Sequence, residues 1–226
     1  MDMNKLVIFG DSILKGVIYS SEKKKYELSS DNKYEELQKY GVSVVNNCKM
    51  GATIDKGLSI LEKRLTDCDD GTTVLFEYGS NDCDYDWNRI SAEPESEHLP
   101  FTPESEFTEK YQTAINYAKS KGAKVVISTL IPISAQKFMN WISRGKSYDN
   151  ILKWLGDVDH LARWQLHYND IVGNIAADNG CEVLDLRHPF ALKNHGGVLL
   201  CEDGIHPTQA GHNLLVNTLS KFAAAQ

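Results

Sequence analysis

Two short segments far apart in the chain carry the residue types that nucleophilic catalysis requires. The segment "GDSILKG" places Ser12 directly after the apolar run "KLVIF", and "DGIHP" places Asp203 three positions before His206. A serine hydroxyl becomes a nucleophile when a histidine takes its proton and a carboxylate holds the tautomer of that histidine. We therefore take Ser12, His206 and Asp203 as candidate nucleophile, base and orienting acid.

Such a reaction also needs hydrogen-bond donors for the oxyanion that develops on the substrate. The candidates are the backbone N–H groups of Ser12 and Gly51 and the side-chain amide of Asn81, in "GDS", "NCKMGAT" and "GSND". A glycine at position 51 would let substrate approach the backbone closely. Taken alone, Ser12 also fits a helix N-cap and Asn81 a turn residue.

Five short apolar runs could bring these residues together. They are nearly continuous in hydrophobicity and rich in β-branched residues, which is typical of strands covered on both faces. They span residues 5–9, 42–46, 73–78, 124–129 and 182–186. In a parallel α/β sheet, ligands bind outside the carboxyl ends of the strands. Ser12, Gly51 and Asn81 each follow such a run, so we expect them to meet at one edge of the sheet.

Helical patterns separate the apolar runs. We expect helices at 34–40, 54–66, 103–121, about 150–178 and 207–225. For the third helix, Thr102 is the expected N-cap and Pro103 the expected first helical residue. The alternation of strands and helices predicts an α/β fold with a parallel, helix-flanked sheet.

Composition excludes several classes of function. The 226 residues are 42% hydrophobic, which fits one domain over 1–226. A formal charge of -7 disfavours nucleic acid and anionic membrane surfaces as partners. The first apolar run is too short for a signal peptide or a membrane span, which predicts a cytoplasmic protein. Oligomeric state is left open.

Cofactor and metal signals are lacking in the sequence. The five cysteines form no Cys-x-x-Cys pair, the histidines lack metal-ligand spacing, and no glycine-rich dinucleotide fingerprint occurs. We expect reduced, buried thiols, no metal and no cofactor.

Two segments, near 83–102 and 131–149, are longer than ordinary connections and mix aromatic with polar residues. Loops of this length in a compact domain are usually functional or disordered, and the aromatic content argues against disorder. Trp87 and Trp141, within them, either pack the segments together or line a substrate pocket. Trp154 and Trp164 are expected in the core.

The motifs together resemble a known family. "GDSILKG", "VVNNCKMGAT", "YGSND" and "DGIHPTQAGH" are similar, in order, to the four blocks of the SGNH (GDSL-type) hydrolases. The resemblance implies that Ser12 is the nucleophile, that Gly51 and Asn81 belong to the oxyanion hole, and that Asp203 and His206 complete a triad. It also implies a flavodoxin-like, three-layer α/β/α sandwich and metal-free ester or thioester hydrolysis.

Two positions depart from the family pattern. Ile13 stands where leucine is usual, and Met50 precedes Gly51 where a small polar residue is common. Both changes leave the chemistry intact and bear on the shape of the pocket.

The resulting expectation is a serine esterase for small acyl esters, with acetyl or other short chains, possibly linked to carbohydrate. One alternative is an acyltransferase that uses the same site to acylate a sugar hydroxyl. The other is a flavodoxin-like binding module without catalytic activity.

Overall fold

The computed structural model of the protein describes residues 3–30 and 34–226. The strands are β1 (Lys5–Gly10), β2 (Val17–Ser20), β3 (Lys25–Leu28), β4 (Ser43–Asn46), β5 (Thr72–Glu77), β6 (Lys124–Ser128) and β7 (Glu182–Leu184). The α-helices are α1 (Ser12–Lys15), α2 (Ile54–Arg64), α3 (Trp87–Ala92), α4 (Glu104–Ser120), α5 (Ala135–Ile142), α6 (Tyr148–Leu155), α7 (His160–Asp178), α8 (Arg187–Lys193) and α9 (Gln209–Ala224). Short 3₁₀ helices cover Tyr34–Tyr40 and His195–Gly197.

In the described residues, five strands form one parallel sheet in the order β4-β1-β5-β6-β7. Numbered by their sequence within this sheet, the strands follow the order 2-1-3-4-5 of flavodoxin-like folds. The order reverses beside β1 and β5, which pair from Lys5 with Thr72 to Gly10 with Glu77. Residues that follow these two strands therefore lie at the point where such folds bind their ligands.

Side chains of β1 alternate between the two faces of the sheet, as the period of a strand requires. Val7 and Phe9 join a core with α2, α4 and α7, whereas Leu6 and Ile8 join a core with α1, α8 and α9. Helices therefore cover both faces. The predicted three-layer α/β/α sandwich with about five parallel strands is confirmed.

The two long segments form a third apolar cluster. Each contains a short helix, α3 in the first and α5 in the second, and both pack with α6 through side chains such as Trp87, Phe138 and Ile151. The segments are therefore ordered by their own apolar residues. This cluster lies over the carboxyl edge of the sheet, because both segments follow strand ends.

The structure differs from the predicted helices at several places. Helix α2 ends at Arg64 rather than at 66, α9 spans Gln209–Ala224 rather than 207–225, and Tyr34–Tyr40 is a 3₁₀ helix. The single helix expected at 150–178 is two helices, because α6 ends at Gly156, whose φ of 80° leaves the helical region. Helix α4 begins at Glu104 with Pro103 as its cap, one residue later than predicted. The carbonyl of Thr102, the expected cap, instead accepts a hydrogen bond from the Tyr168 hydroxyl.

The sequence did not predict the antiparallel hairpin of β2 and β3 or helix α8. Each hairpin strand has only four residues, and β3 alternates polar with apolar side chains, so the hairpin lacks the longer apolar runs that mark most of the sheet strands. Helix α8 buries Phe190 as its sole fully buried residue among those described. Neither element changes the fold class.

The cysteines are free thiols. Cys48, Cys83 and Cys201 are buried as expected, whereas Cys68 and Cys181 are partly exposed. Within the described residues, no helix has the length and apolar character needed to cross a membrane.

Candidate active site

Ser12 lies at the junction of β1 and α1, where the buried strand reaches the edge of the sheet. Asp11 caps the helix, because its Oδ1 atom accepts the N–H of Ile13 at 2.7 Å. This turn holds the Ser12 backbone in place and leaves its side chain mostly buried. The predicted nucleophile thus occupies a rigid position.

The loop before α9 carries Asp203 and His206. Asp203 Oδ1 accepts the backbone N–H groups of Ile205 and His206, each at 3.0 Å, so the carboxylate folds the loop around itself. Its other oxygen, Oδ2, lies 2.7 Å from His206 Nδ1. The Asp-x-x-His spacing therefore brings both side chains to one side of a turn, as expected.

His206 also reaches Ser12. Its Nε2 atom lies 2.9 Å from the Ser12 Oγ atom. Although burial opposes ionisation, the hydrogen bonds from the His206 ring and backbone hold the pKa of Asp203 below its ordinary value. An ionised carboxylate only accepts, so Nδ1 carries the imidazole proton and Nε2 is free to accept the serine proton. The structure thus brings the three predicted residues into one hydrogen-bonded series.

Gly204, within the same loop, allows the loop to approach α5 closely. Its carbonyl accepts the N–H of Ser134 at 2.8 Å, and a Cβ atom at this position would lie 2.6 Å from the Phe138 nitrogen. Its φ of +76° also favours glycine. The segment 131–149 therefore supports the loop that carries His206.

The three predicted oxyanion donors lie on neighbouring loops. Gly51 follows β4 on a loop that is tied to β1 by a hydrogen bond from Lys49 N–H to the Gly10 carbonyl at 3.0 Å. The N–H groups of Ser12 and Gly51 donate to no acceptor in the described part of the chain. They are therefore available to a ligand.

The Asn81 amide has protein partners. Its Nδ2 atom donates to Asp11 Oδ2 at 2.8 Å and to the Ala52 carbonyl at 3.2 Å. These bonds fix the amide between the nucleophile turn and the Gly51 loop. An oxyanion would have to share or replace one of them, so the donor role of Asn81 stays a prediction.

Sequence reasoning missed Glu77, which lies beneath the nucleophile turn. Its Oε2 atom accepts the Asp11 N–H at 3.3 Å, and the side chain is only 2% exposed. Burial, with the neighbouring Asp11 carboxyl, raises the pKa of Glu77 well above its ordinary value, and burial raises the pKa of Asp11 to about 6. The sequence feature that could have revealed Glu77 is its acidic side chain within the otherwise mainly apolar run 73–78.

A cavity of about 70 Å³ opens beside Ser12 and His206. Its walls are mainly aromatic and aliphatic, and the principal ones are Tyr85, Trp87, Phe138, Leu155, Leu161 and Trp164. Trp87 both packs the two long segments together and lines this cavity.

The other tryptophans are placed differently. Trp164, expected only in the core, also lines the cavity and donates its indole N–H to the Cys83 carbonyl at 2.8 Å. Trp141 packs against Tyr19, with ring centroids 4.6 Å apart.

Among the described residues, no group of three or more His, Cys, Asp or Glu side chains is arranged to hold a metal ion.

The sequence matches the model of the GDSL-like lipase/acylhydrolase family over residues 8–214, and no curated protein matches it significantly. A lipase/acylhydrolase from Enterococcus faecalis is similar in structure at 20% identity, with a TM-score of 0.63 over 99% of this chain and 96% of that chain.

Two acetylxylan esterases are also similar in structure. The esterase AlAXEase has 20% identity and a TM-score of 0.61 over 96% of this chain and 98% of that chain. A catalytic mutant of Axe2 from Geobacillus stearothermophilus has 17% identity and a TM-score of 0.67 over 99% of this chain and 95% of that chain. At these identities the likeness shows a shared fold.

The family match covers nearly the whole chain, including Ser12, Gly51, Asn81 and His206. The family hydrolyses acyl esters, which makes this protein an enzyme that acts on ester bonds. The chain belongs to the GDSL-like lipase/acylhydrolase family.

Proposed function

We propose that this hydrolase is a serine esterase that removes acetyl or other short acyl groups from carbohydrate-linked hydroxyls. The observation that carries the proposal is the hydrogen-bonded series Ser12–His206–Asp203 at the mouth of a small, mainly apolar cavity. The hydrogen-bonded series supplies a nucleophile and a base, and the cavity limits the size of the acyl group.

In the acylation step, Ser12 Oγ attacks the ester carbonyl carbon while its proton passes to His206 Nε2. Asp203 stabilises the resulting imidazolium without taking the proton. The oxygen of the tetrahedral intermediate lies against the N–H groups of Ser12 and Gly51 and the amide of Asn81. When the intermediate collapses, the bond to the leaving alcohol breaks and that alcohol takes the proton from His206.

The acyl-enzyme is then hydrolysed by the same groups. His206 Nε2 takes a proton from water, the hydroxide attacks the acyl carbonyl, and the bond to Ser12 Oγ breaks as Ser12 regains a proton from His206. The products are a carboxylic acid and free enzyme.

The size of the cavity supports a short acyl group. The cavity is small, at about 70 Å³, and its walls are mainly apolar. These features favour an acetyl or butyryl group over an octanoyl group. Trp87 and Trp164 form part of the wall that imposes this limit.

The carbohydrate part of the proposal draws on the structural neighbours. Two of them are named as acetylxylan esterases, and they cover this chain almost completely. A sugar hydroxyl is the leaving group in that reaction. The cytoplasmic location stays an expectation from the sequence.

The test is a panel of acetyl, butyryl and octanoyl nitrophenyl esters together with an acetylated xylo-oligosaccharide. We expect the highest kcat/KM for the acetyl or butyryl ester, release of acetate from the oligosaccharide, and loss of turnover in Ser12→Ala. Ser80→Ala is the matched control, because Ser80 lines the same cavity and the proposed mechanism assigns it no step. A preference for the octanoyl ester would contradict the proposal.

The same assay separates hydrolysis from acyl transfer. Addition of free xylo-oligosaccharide to the nitrophenyl acetate reaction should leave acetate as the product. Formation of a new sugar ester in its place would favour the acyltransferase alternative.

A further inference from the structure

The hairpin of β2 and β3 lies outside the five-stranded sheet, and the function proposed above assigns it no part. It follows α1 directly, and its two strands pair so that Tyr19 lies opposite Tyr26. The rings of these tyrosines are 5.2 Å apart and meet edge to face. The hairpin thus presents a pair of aromatic side chains close to the nucleophile turn.

The second of these rings contacts the candidate base. The centroid of Tyr26 lies 4.9 Å from that of the His206 imidazole, at an interplanar angle of 52°. Among the described residues, those that line the acyl cavity do not include Tyr26. Its contact is therefore with the imidazole itself rather than with the acyl group.

Because His206 is hydrogen-bonded to Asp203, the ring contact also brings the Tyr26 phenol under the influence of the Asp203 carboxylate. Burial, together with the negative charge and hydrogen-bonding capacity of Asp203, raises the pKa of Tyr26 well above its ordinary value. An ionised carboxylate offers about four acceptor sites. Three are used by the N–H groups of Ile205 and His206 and by His206 Nδ1. The remaining site suits a phenol O–H.

Two further contacts tie the hairpin to the loop that carries Asp203 and to helix α9, which follows that loop. Ser21, in the hairpin turn, donates its hydroxyl to Glu202 at 2.9 Å, and Glu202 also pairs with Arg144. At the other end of the hairpin, the His212 ring lies 2.9 Å from the Val17 carbonyl. The position of Tyr26 relative to His206 is therefore fixed from both ends.

We propose that Tyr26 is a positioning residue for the Asp203–His206 pair. Its ring holds one face of the imidazole in place, and its hydroxyl donates to Asp203, so that Nε2 keeps its direction toward Ser12. This inference rests on the proposed function, because it assigns Tyr26 to the reaction through His206.

The test compares Tyr26→Phe and Tyr26→Leu with Tyr19→Phe. The Phe variant removes only the hydroxyl, the Leu variant also removes the ring, and Tyr19→Phe is the matched control on the same hairpin. If a hydrogen bond to a charged group is lost from the transition state, the rate of the chemical step should fall roughly tenfold or more. We expect Tyr26→Phe to lower kcat for a short acyl ester roughly tenfold with KM unchanged.

The Leu variant should lower kcat further, and the control should stay within about twofold of the unmodified enzyme. A purely structural tyrosine would lower the melting temperature and the active fraction without this graded order. Equal kcat values for the unmodified enzyme and Tyr26→Phe would overturn the proposal.

A second readout requires no turnover. The proton on His206 Nδ1 gives a downfield NMR resonance, because it is shared with Asp203 in a short hydrogen bond. We expect this resonance to shift in Tyr26→Phe and to stay in place in Tyr19→Phe. An unshifted resonance in Tyr26→Phe would also overturn the proposal. If Ser12→Ala retains the esterase activity, the proposed function fails while this measurement still decides the role of Tyr26.

Discussion

The imidazole Nε2 of His206 lies 2.9 Å from the hydroxyl oxygen of Ser12, although 194 positions separate the two residues in the chain. One residue follows the first strand of the sheet, and the other precedes the last helix. Their meeting therefore depends on strand order, since the parallel sheet carries both to its carboxyl edge. The reactive geometry is a property of the fold as a whole.

Asn81→Ala tests the oxyanion hole. If the amide donates to the developing oxyanion, kcat should fall roughly 10²- to 10³-fold. Because Asn81 also bonds Asp11, the melting temperature is measured alongside kcat. Met50→Ala, on the exposed tip of the neighbouring loop, is the control and should leave kcat unchanged. An Asn81→Ala enzyme with normal kcat would remove Asn81 from the oxyanion hole.

Trp87→Leu tests the acyl-size limit. Replacing this wall residue enlarges the cavity, so the ratio of kcat/KM for hexanoyl over acetyl esters should rise by roughly tenfold, as for a few methylenes in an apolar pocket. Trp141→Leu is the matched control, because Trp141 packs on Tyr19 of the hairpin. An unchanged ratio in Trp87→Leu, or an equal rise in Trp141→Leu, would show that other residues set the limit.

The buried carboxyl of Asp82 should make the stability of the protein depend on pH. Its carboxyl accepts the Ile54 N–H at 2.9 Å, and burial raises its pKa to about 7, compared with about 3.9 in an unfolded chain. The folded state therefore binds this proton more tightly than the unfolded state. The stabilisation that protonated Asp82 gives the folded state is complete below about pH 4, and it is lost as the pH rises through about 7.

The measurement is the melting temperature between about pH 5 and pH 8. The melting temperature should fall with rising pH. Asp82→Asn, which keeps an acceptor for the Ile54 N–H, should flatten that fall, because it removes a slope in the free energy of unfolding on the order of 1 kcal/mol per pH unit. The exposed residue Asp69 provides the control variant Asp69→Asn. Asp203, whose pKa is lowered, acts in the opposite direction and in a separate window below about pH 4. The prediction fails if Asp82→Asn keeps the full pH dependence.

Gly10→Ala tests the packing beneath the nucleophile turn. A Cβ atom at this position would lie 3.0 Å from the carbonyl oxygen and from Oε2 of Glu77. Overpacking of this kind costs about 1–3 kcal/mol, so urea unfolding should show a loss of that size. Gly173→Ala is the matched control, since a Cβ there, on α7, meets no described atom within 4 Å. It should stabilise the helix by up to about 1 kcal/mol. Equal stability of the two variants would contradict this account of Gly10.

The elements that position the site were predictable because each leaves a local signal. The sheet strands are short apolar runs, and the site residues Ser12 and Asn81 directly follow two of them, β1 and β5. The Asp203–His206 turn could also be inferred, because three positions of separation bring a carboxylate and an imidazole together. That these segments meet at one edge of the sheet was predicted from the rule that parallel strands place their carboxyl ends together, and from the resemblance to a family.

Other features depend on contacts that no local pattern records. Glu77 sits in a buried strand, where hydropathy alone favours an apolar residue, and only the approach of Asp11 gives it a partner. Tyr26 lies on a polar, half-exposed strand, and its contact with His206 arises from tertiary packing. The break at Gly156 interrupts a pattern whose apolar periodicity continues on both sides. For Glu77 and Tyr26 the deciding interaction is distant in sequence, whereas the break at Gly156 is local, at a glycine with a φ of 80°.

The most direct test of the central claim is intact mass after exposure to a fluorophosphonate, which reports an activated serine without requiring the natural substrate. The account predicts a single adduct on the unmodified protein and none on Ser12→Ala, with Ser80→Ala labelled normally. No adduct on the folded protein, or an adduct that persists in Ser12→Ala, would contradict the assignment of Ser12 as the nucleophile.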